Sequence, residues 1–434
     1  MHSSQTHQVE WVPNVFGSEP RWTDEASIEA IEQLARDHIQ LNGHPLRDIS
    51  VKFLAEGGFN KLYTVHMDPA PTDSEYVVRV ALPVDPRWKT LSEVATLALA
   101  RKYCPDVIPR VHSWNADANS QQYTSGFEWI IMEKMPGGVL ADRWLDMSWY
   151  AKTELVRELV GVIAKLSVHR YSCIGNIYPH DCVEIDNEHP SSSIFVSDAP
   201  TIGRIVSVDF FRDKHLEYDV PRGPFHSSHD WLSARLAIIL NDAADVLQNS
   251  SDEDDLEDAK VSKDLAQRLF ALLPSFFPPS TESPEVTMLR HDDLNEHNIL
   301  LDGHGKLTGI VDWECVSVLP VWKACQLPHF LITRDRMECP DVSRYMVDED
   351  GRPNQLYFEH LIEWEKTRLR DLFLVEMEDV QPEWVEIRPA LESKRRAEFE
   401  SAVTYTSDNF FRVLVKEWLD QVEKGEETEC PFLY

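Results

Sequence analysis

Over the first third of the chain the apolar positions gather into short β-branched and aromatic runs, and over most of the remainder they fall at helical spacing. Residues 49–54 (Ile-Ser-Val-Lys-Phe-Leu), 61–67 and 76–81 (Tyr-Val-Val-Arg-Val-Ala) read as three strands, with Glu56-Gly-Gly-Phe-Asn60 turning between the first two. Thr90 to Tyr103 reads as a helix, and Val107 to Trp114 and Phe127 to Met132 as two further strands. Ahead of them a helix is expected from near Thr23 to about Leu41, with Thr23 and Asp24 as candidate caps, preceded by a loose arm of some twenty residues. Glu133-Lys-Met-Pro-Gly-Gly138 breaks the pattern and reads as a hinge.

Beyond the hinge the pattern is mainly helical. Trp149 to Tyr171 carries Leu155, Leu159, Val162, Ile163 and Leu166 on one spacing. Residues 172–225 are rich in Pro, Ser and Asp, with short strands such as Ile202 to Phe210. Helices are expected at 228–248 and 259–273, and again over 355–425. The acidic run near 250–258 between the first two reads as a solvated, mobile loop. The divisions are therefore an arm at 1–22, a small lobe at 23–132, a hinge at 133–138 and a large lobe at 139–434.

Charge narrows the functional classes. The chain has 434 residues, 42 basic and 74 acidic, for a net charge of −32. Such a surface repels nucleic acid and anionic membranes, and could attract a cationic small molecule. No apolar run is long enough to span a bilayer, and the opening residues lack the basic and apolar regions of a secretory signal, so a cytoplasmic protein is expected. The seven scattered cysteines form no Cys-x-x-Cys and read as free thiols.

The chemistry-bearing stretch is Val286 to Glu314. A strand ends at Arg290, followed by His291-Asp-Asp-Leu-Asn-Glu-His-Asn298, apolar Ile299-Leu-Leu301, a turn at Asp302-Gly-His-Gly305 and a return strand ending at Asp312-Trp-Glu314. Two polar clusters thus sit at adjacent strand ends. His-x-Asp-x-x-x-x-Asn with a further Asp on the next hairpin arm is the spacing phosphoryl transfer uses. One Asp orients the attacking hydroxyl, and the Asn and second Asp hold Mg²⁺ against the phosphates.

Together with Glu56-Gly-Gly-Phe-Asn-Lys61, Tyr76-Val-Val-Arg-Val80, Ser92-Glu-Val-Ala-Thr96, Ile108-Pro-Arg-Val-His-Ser-Trp114 and Trp129-Ile-Ile-Met-Glu-Lys134, these motifs resemble the aminoglycoside phosphotransferase / choline kinase-like family, in particular its fungal branch. The resemblance spans about residues 50–335. It implies an α+β, protein-kinase-like bilobal fold: a small antiparallel-sheet N-lobe with one main helix and a larger, mainly helical C-lobe. It implies ATP and Mg²⁺, and phosphoryl transfer to a small-molecule hydroxyl.

Carried over by position, Asp293 resembles the catalytic aspartate, and Asn298 and Asp312 the metal ligands. His291 would brace the loop. Glu93 resembles the helix glutamate that pairs with the strand cation, here Arg79 in place of the usual Lys. Gly57, Gly58, Phe59 and Asn60 would lie over the phosphates, and Glu133 to Met135 would meet the adenine with backbone groups. Rival readings are a nucleotide-binding pseudokinase acting as a scaffold and, less well supported, a protein kinase: no Ala-Pro-Glu follows Asp312, and Asp312-Trp-Glu replaces Asp-Phe-Gly. The acidic positions Glu359, Glu363, Glu365 and Asp371 read as a solvated helix face. Neither the acceptor nor the oligomeric state is legible.

Overall fold

The computed structural model describes residues 9–14, 17–39, 48–68, 75–118, 126–180, 200–279, 284–347, 351–388 and 390–426. The expected loose arm is in part a hairpin, with β1 (Val9–Asn14) antiparallel to β2 (Gly17–Trp22). Trp11 and Trp22 hold it by packing against an apolar cluster containing Val84, Leu91, Val206 and Phe211, partners that lie far away in sequence. Next, α1 (Ile28–His38) starts later than expected. Ser27 rather than Thr23 or Asp24 caps it, its Oγ accepting from the Ala30 amide at 3.1 Å. The expected end at Leu41 lies outside the described residues.

The strand runs form, although the one expected from Val107 starts only at Val111. β3 (Asp48–Glu56), β4 (Asn60–Asp68) and β5 (Tyr76–Ala81) precede α2 (Trp88–Tyr103), β6 (Val111–Asn115) and β7 (Glu128–Glu133). They build one antiparallel sheet in the order β3-β4-β5-β7-β6. Tyr76, Val78 and Val80 of β5 share a core with Trp129 and Ile131 of β7 and with Ile31, Leu34 and Ala35 of α1. The period of two then turns Arg79 to the opposite face, toward α2. The N-lobe thus carries two helices.

The linker enters the large lobe as a strand. β8 (Gly138–Val139) leads to α3 (Trp149–Ser167), β9 (Asn176–Tyr178), β10 (Thr201–Gly203), α4 (Val208–Phe211), α5 (Ser228–Asn249) and α6 (Glu253–Phe276). The strand expected over 202–210 stops at Gly203, and its apolar end turns into α4. The acidic run near 250–258 is not a loop. Asp252 caps α6 by accepting from the amides of Asp254 and Asp255 at 2.9 and 3.2 Å, and the carboxylates that follow sit in the first turns, where the helix dipole favours them.

Four short strands then frame the polar clusters: β11 (Thr287–Arg290), β12 (Ile299–Leu301), β13 (Leu307–Ile310) and β14 (Ser317–Pro320). β11 pairs with β14, and β12 pairs with both β13 and β8. Because Gly138 faces Leu301, the hinge is stitched directly to the arm that leaves the His291–Asn298 loop. Gly137 makes that approach possible. It has φ of 102°, and a Cβ there would lie 2.2 Å from the Leu301 carbonyl oxygen.

The remaining elements are α7 (Val321–Ala324), α8 (Gln355–Val380), α9 (Pro382–Ile387), α10 (Leu391–Tyr405) and α11 (Arg412–Glu423). The acidic face expected on α8 is only partly solvated. Glu359 and Asp371 are exposed, but Glu365 is buried against α3, 2.7 Å from Lys152 Nζ and 2.8 Å from Trp144 Nε1. The five described cysteines carry no disulfide, while Cys182 and Cys430 lie outside the described residues. Among the described residues no helix is long and apolar enough to cross a membrane. The architecture is mixed α+β, an antiparallel-sheet N-lobe over a helical C-lobe.

Candidate active site

The loop after β11 is shaped by its own side chains. Asn298 Nδ2 donates to the Asp293 carbonyl at 2.8 Å and to its carboxylate Oδ2 at 3.1 Å, while Asn295 Nδ2 donates to Oδ1 at 2.7 Å. Both oxygens of Asp293 are therefore oriented. Burial pushes this carboxyl up, but the contacts from His329 and Asn295 more than offset it and hold the group below its ordinary value. His291 braces the loop: its Nε2 lies 3.1 Å from the Val311 carbonyl, and its ring meets Trp313 edge-on at 4.8 Å. Trp313 in turn is buried, donating to the Ile310 carbonyl at 2.9 Å. The Val311 amide donates to the Asn298 carbonyl at 3.0 Å, so the two polar clusters are bonded backbone to backbone.

Asp312 and Cys315 both have left-handed backbone, with φ of 62° and 57°. Strained non-glycine residues of this kind are held only where the surroundings over-determine them, and they gather at functional sites. Here the determinant is a buried charge cluster. Arg79 Nη1 is 2.7 Å from Glu93 Oε1, and its Nη2 is 2.8 Å from Glu314 Oε2 and 3.3 Å from Asp312 Oδ1. The expected Arg79–Glu93 pair is thus formed, and the second arm of the guanidinium fork reaches across to the carboxylates of Asp312 and Glu314.

Lys89 was not anticipated. It is 1% exposed, with Nζ 2.8 Å from Glu314 Oε2, 2.9 Å from Asn60 Oδ1 and 3.4 Å from the Phe59 carbonyl. It lies four residues before Glu93, on the same helix face. That spacing is the signal, and starting the helix at Thr90 hid it. Replacing Lys89 with Met removes a charge-assisted tie between the glycine turn and Glu314. Stability, read by denaturant unfolding, is expected to fall by roughly 1.5–3 kcal/mol, the contribution of such bonds.

The four loop residues split in role. The side chain of Asn60 turns inward to Lys89, and Phe59 packs edge-on against Phe211 of α4 at 5.3 Å, so neither side chain lies over open space. Gly57 and Gly58 do: a Cβ at either would meet no protein atom within 4 Å. In the hinge, the Glu133 carboxylate is held by Arg101 at 3.0 Å and by the Arg110 amide at 3.2 Å. The amides of Glu133 and Lys134 donate to the carbonyls of Arg110 and Glu75.

The donor set fits a divalent cation beside a nucleotide. Asn298 commits its Nδ2 to Asp293, leaving the amide oxygen as the available donor. Three carboxylates (Glu93, Asp312, Glu314) surround two cations (Arg79, Lys89), and burial, against Arg79, pushes Glu93 up to about 7. Burial and the neighbouring Glu314 charge push Asp312 up, against Arg79. Burial also opposes ionisation of Glu314, but Lys89 and Arg79 outweigh it and hold that carboxyl low. Among the described residues no group of three or more His, Cys, Asp or Glu could hold a metal alone. A cation here would share two protein oxygens with phosphate oxygens, as Mg²⁺ does.

The family model for the phosphotransferase enzyme family matches residues 51–322. A subtelomeric hrmA-associated cluster protein of Aspergillus fumigatus is 23% identical over 315 residues, 64% of this chain and 59% of that protein. The chain thus spans less than two thirds of that relative's length. Clavilactone A biosynthesis cluster protein Y of Ampulloclitocybe clavipes is 25% identical over 347 residues, 76% of this chain and 74% of that protein. Among solved structures, the ADP-bound aminoglycoside phosphotransferase APH(2'')-Ib is 14% identical over 92% of this chain and 97% of its own, with a TM-score of 0.42.

Proposed function

The chain belongs to the phosphotransferase enzyme family, and from that premise we propose that it moves the γ-phosphoryl group of ATP to a hydroxyl of a small molecule. One observation carries this reading. Asn298 is hydrogen-bonded to Asp293, and Arg79, paired with Glu93, reaches Asp312 at 3.3 Å, so the two polar turns are tied to the cation on β5. Asp293 orients the acceptor hydroxyl and collects its proton late, because a loose transition state needs little early deprotonation. Arg79 and Lys89 set the field around the phosphates, and Met135 offers its backbone to the base. Bound at Asn298 and Asp312, Mg²⁺ would supply charge neutralisation at the phosphate oxygens. Catalysis is then chiefly positioning and electrostatics.

A cationic acceptor suits the net charge of −32. Many chemistries share such a scaffold, so the acceptor is to be found by screening MgATP against a panel of amino alcohols, sugars and secondary metabolites. Product with any of them supports transfer. MgATP binding with no product across the panel favours the scaffold reading, against which the complete Asp293, Asn298 and Asp312 set speaks.

The metal assignment has its own test. Asp312→Ala is expected to bind ATP equally with and without Mg²⁺ by calorimetry while unfolding cooperatively. An unchanged MgATP affinity would remove Asp312 from the metal site.

A further inference from the structure

His329 stands beside Asp293, on the segment that follows Pro328. Its Nδ1 is 3.6 Å from Asp293 Oδ1, within ion-pair reach and a small side-chain rotation from hydrogen-bond length, and 57% of its side chain is exposed. The backbone around it is fixed. Phe330 and Leu331 are fully buried, and the Phe330 amide donates at 2.9 Å to the carbonyl of Leu294, the residue after Asp293. An exposed imidazole is therefore anchored at a set distance from the carboxylate, with its far side open to water.

We propose that His329 acts through Asp293, its neutral ring taking the proton that Asp293 collects from the acceptor hydroxyl and passing it to solvent. This rests on the role given to Asp293 above. The acceptor O–H bond breaks and its proton moves to the Asp293 carboxylate. The electron pair left on the acceptor oxygen forms the new O–P bond as the bond from phosphorus to the ADP oxygen breaks, and ADP leaves with that pair. The proton then passes from Asp293 to Nδ1 of His329, giving carboxylate and imidazolium, and the imidazolium loses a proton to water. The tautomer required carries its hydrogen on Nε2.

The surroundings set the sign of the pH dependence. Asp293 first, then Asp292, push the His329 ring up from its ordinary value, against burial and against Arg290; Lys323 faces Asp292 in turn. Below the raised value the ring is imidazolium, pairs with Asp293 and cannot accept. Turnover therefore rises with pH through the titration of His329.

The test uses the full chain, with water as the acceptor and ADP formation from MgATP as the readout. His329→Gln is expected to lose the rising limb across the neutral range. Its plateau should fall about tenfold to a hundredfold, at or under the low end for a positioned proton-transfer group. Added imidazole should restore His329→Gly, the rescue tracking the neutral base, which a merely structural role would not produce. By NMR the ring of His329 should titrate at lower pH in Asp293→Asn than in the wild type. A wild-type limb and plateau in His329→Gln, no imidazole rescue, or an unmoved His329 titration would each overturn the proposal. Full ADP formation in Asp293→Asn would instead remove Asp293 from its role.

Discussion

Asp293→Asn is expected to bind MgATP like the wild type and to turn over about 10²–10⁴-fold more slowly, the usual contribution of a positioned proton acceptor. The substitution is close to isosteric, and the loop has reason to persist: Asn298 still donates to the Asp293 backbone carbonyl, and His291 still meets the Val311 carbonyl. What is lost is the negative charge to which the proposed mechanism gives the acceptor proton. Asn295 and Asn298 now face an amide, and one of their donors must turn away. Single-turnover kinetics with an acceptor from the panel separates this loss from a binding defect. A turnover within a few fold of wild type would show that the carboxylate is not where the hydroxyl proton goes.

The second large effect is on stability. Arg79→Met leaves Glu93, 1% exposed, without its 2.7 Å partner and strips one of two cations from Glu314. Removing one side of a buried ion pair typically costs about 3–5 kcal/mol, since the orphaned charge stays desolvated. Denaturant unfolding should register a loss of that order. Arg79→Met with Glu93→Leu should recover part of it, because Glu93 is then no longer stranded while Glu314 keeps Lys89 and Asp312 has lost its cation. Activity should not return with stability if Arg79 has the phosphate-binding role proposed for it, since the charge stays absent. Arg79→Lys should keep part of the activity, retaining the charge and losing the fork that spans Glu93 and Glu314. A loss under about 1 kcal/mol in Arg79→Met would mean that the cluster is solvated in solution, contrary to its burial here.

Much of this was legible in the residues because it is local. Strand runs with β-branched residues, the hinge with Pro and two Gly, and the spacing from His291 to Asn298 each encode their structure within about ten residues. Arg79 stands on β5 as the resemblance implies, and the strand's period of two turns it away from Tyr76, Val78 and Val80. Where the fold departs from these expectations, the deciding partner mostly lies elsewhere in the chain. The N-terminal hairpin reads as an arm because Trp11 and Trp22 are anchored by residues such as Val206 and Phe211. Glu365 reads as solvent-facing because Lys152 and Trp144 lie on other elements. The acidic run at 253–258 is a different error: the charge pattern suggested a loop, yet Asp252 caps a helix there and the dipole welcomes the carboxylates.

The site divides along the same line. The sequence by itself determined which residues stand on the two polar turns, because strand length and turn chemistry fix them. Only the tertiary structure decided that Lys89 closes the cluster, that Asn60 faces inward, that Asp312 is held in left-handed backbone and that His329 stands beside Asp293. Burial forces each charge in the cluster to find a partner, and the partners come from β5, α2 and the turn after β13. Their meeting is a property of packing that no local spacing records.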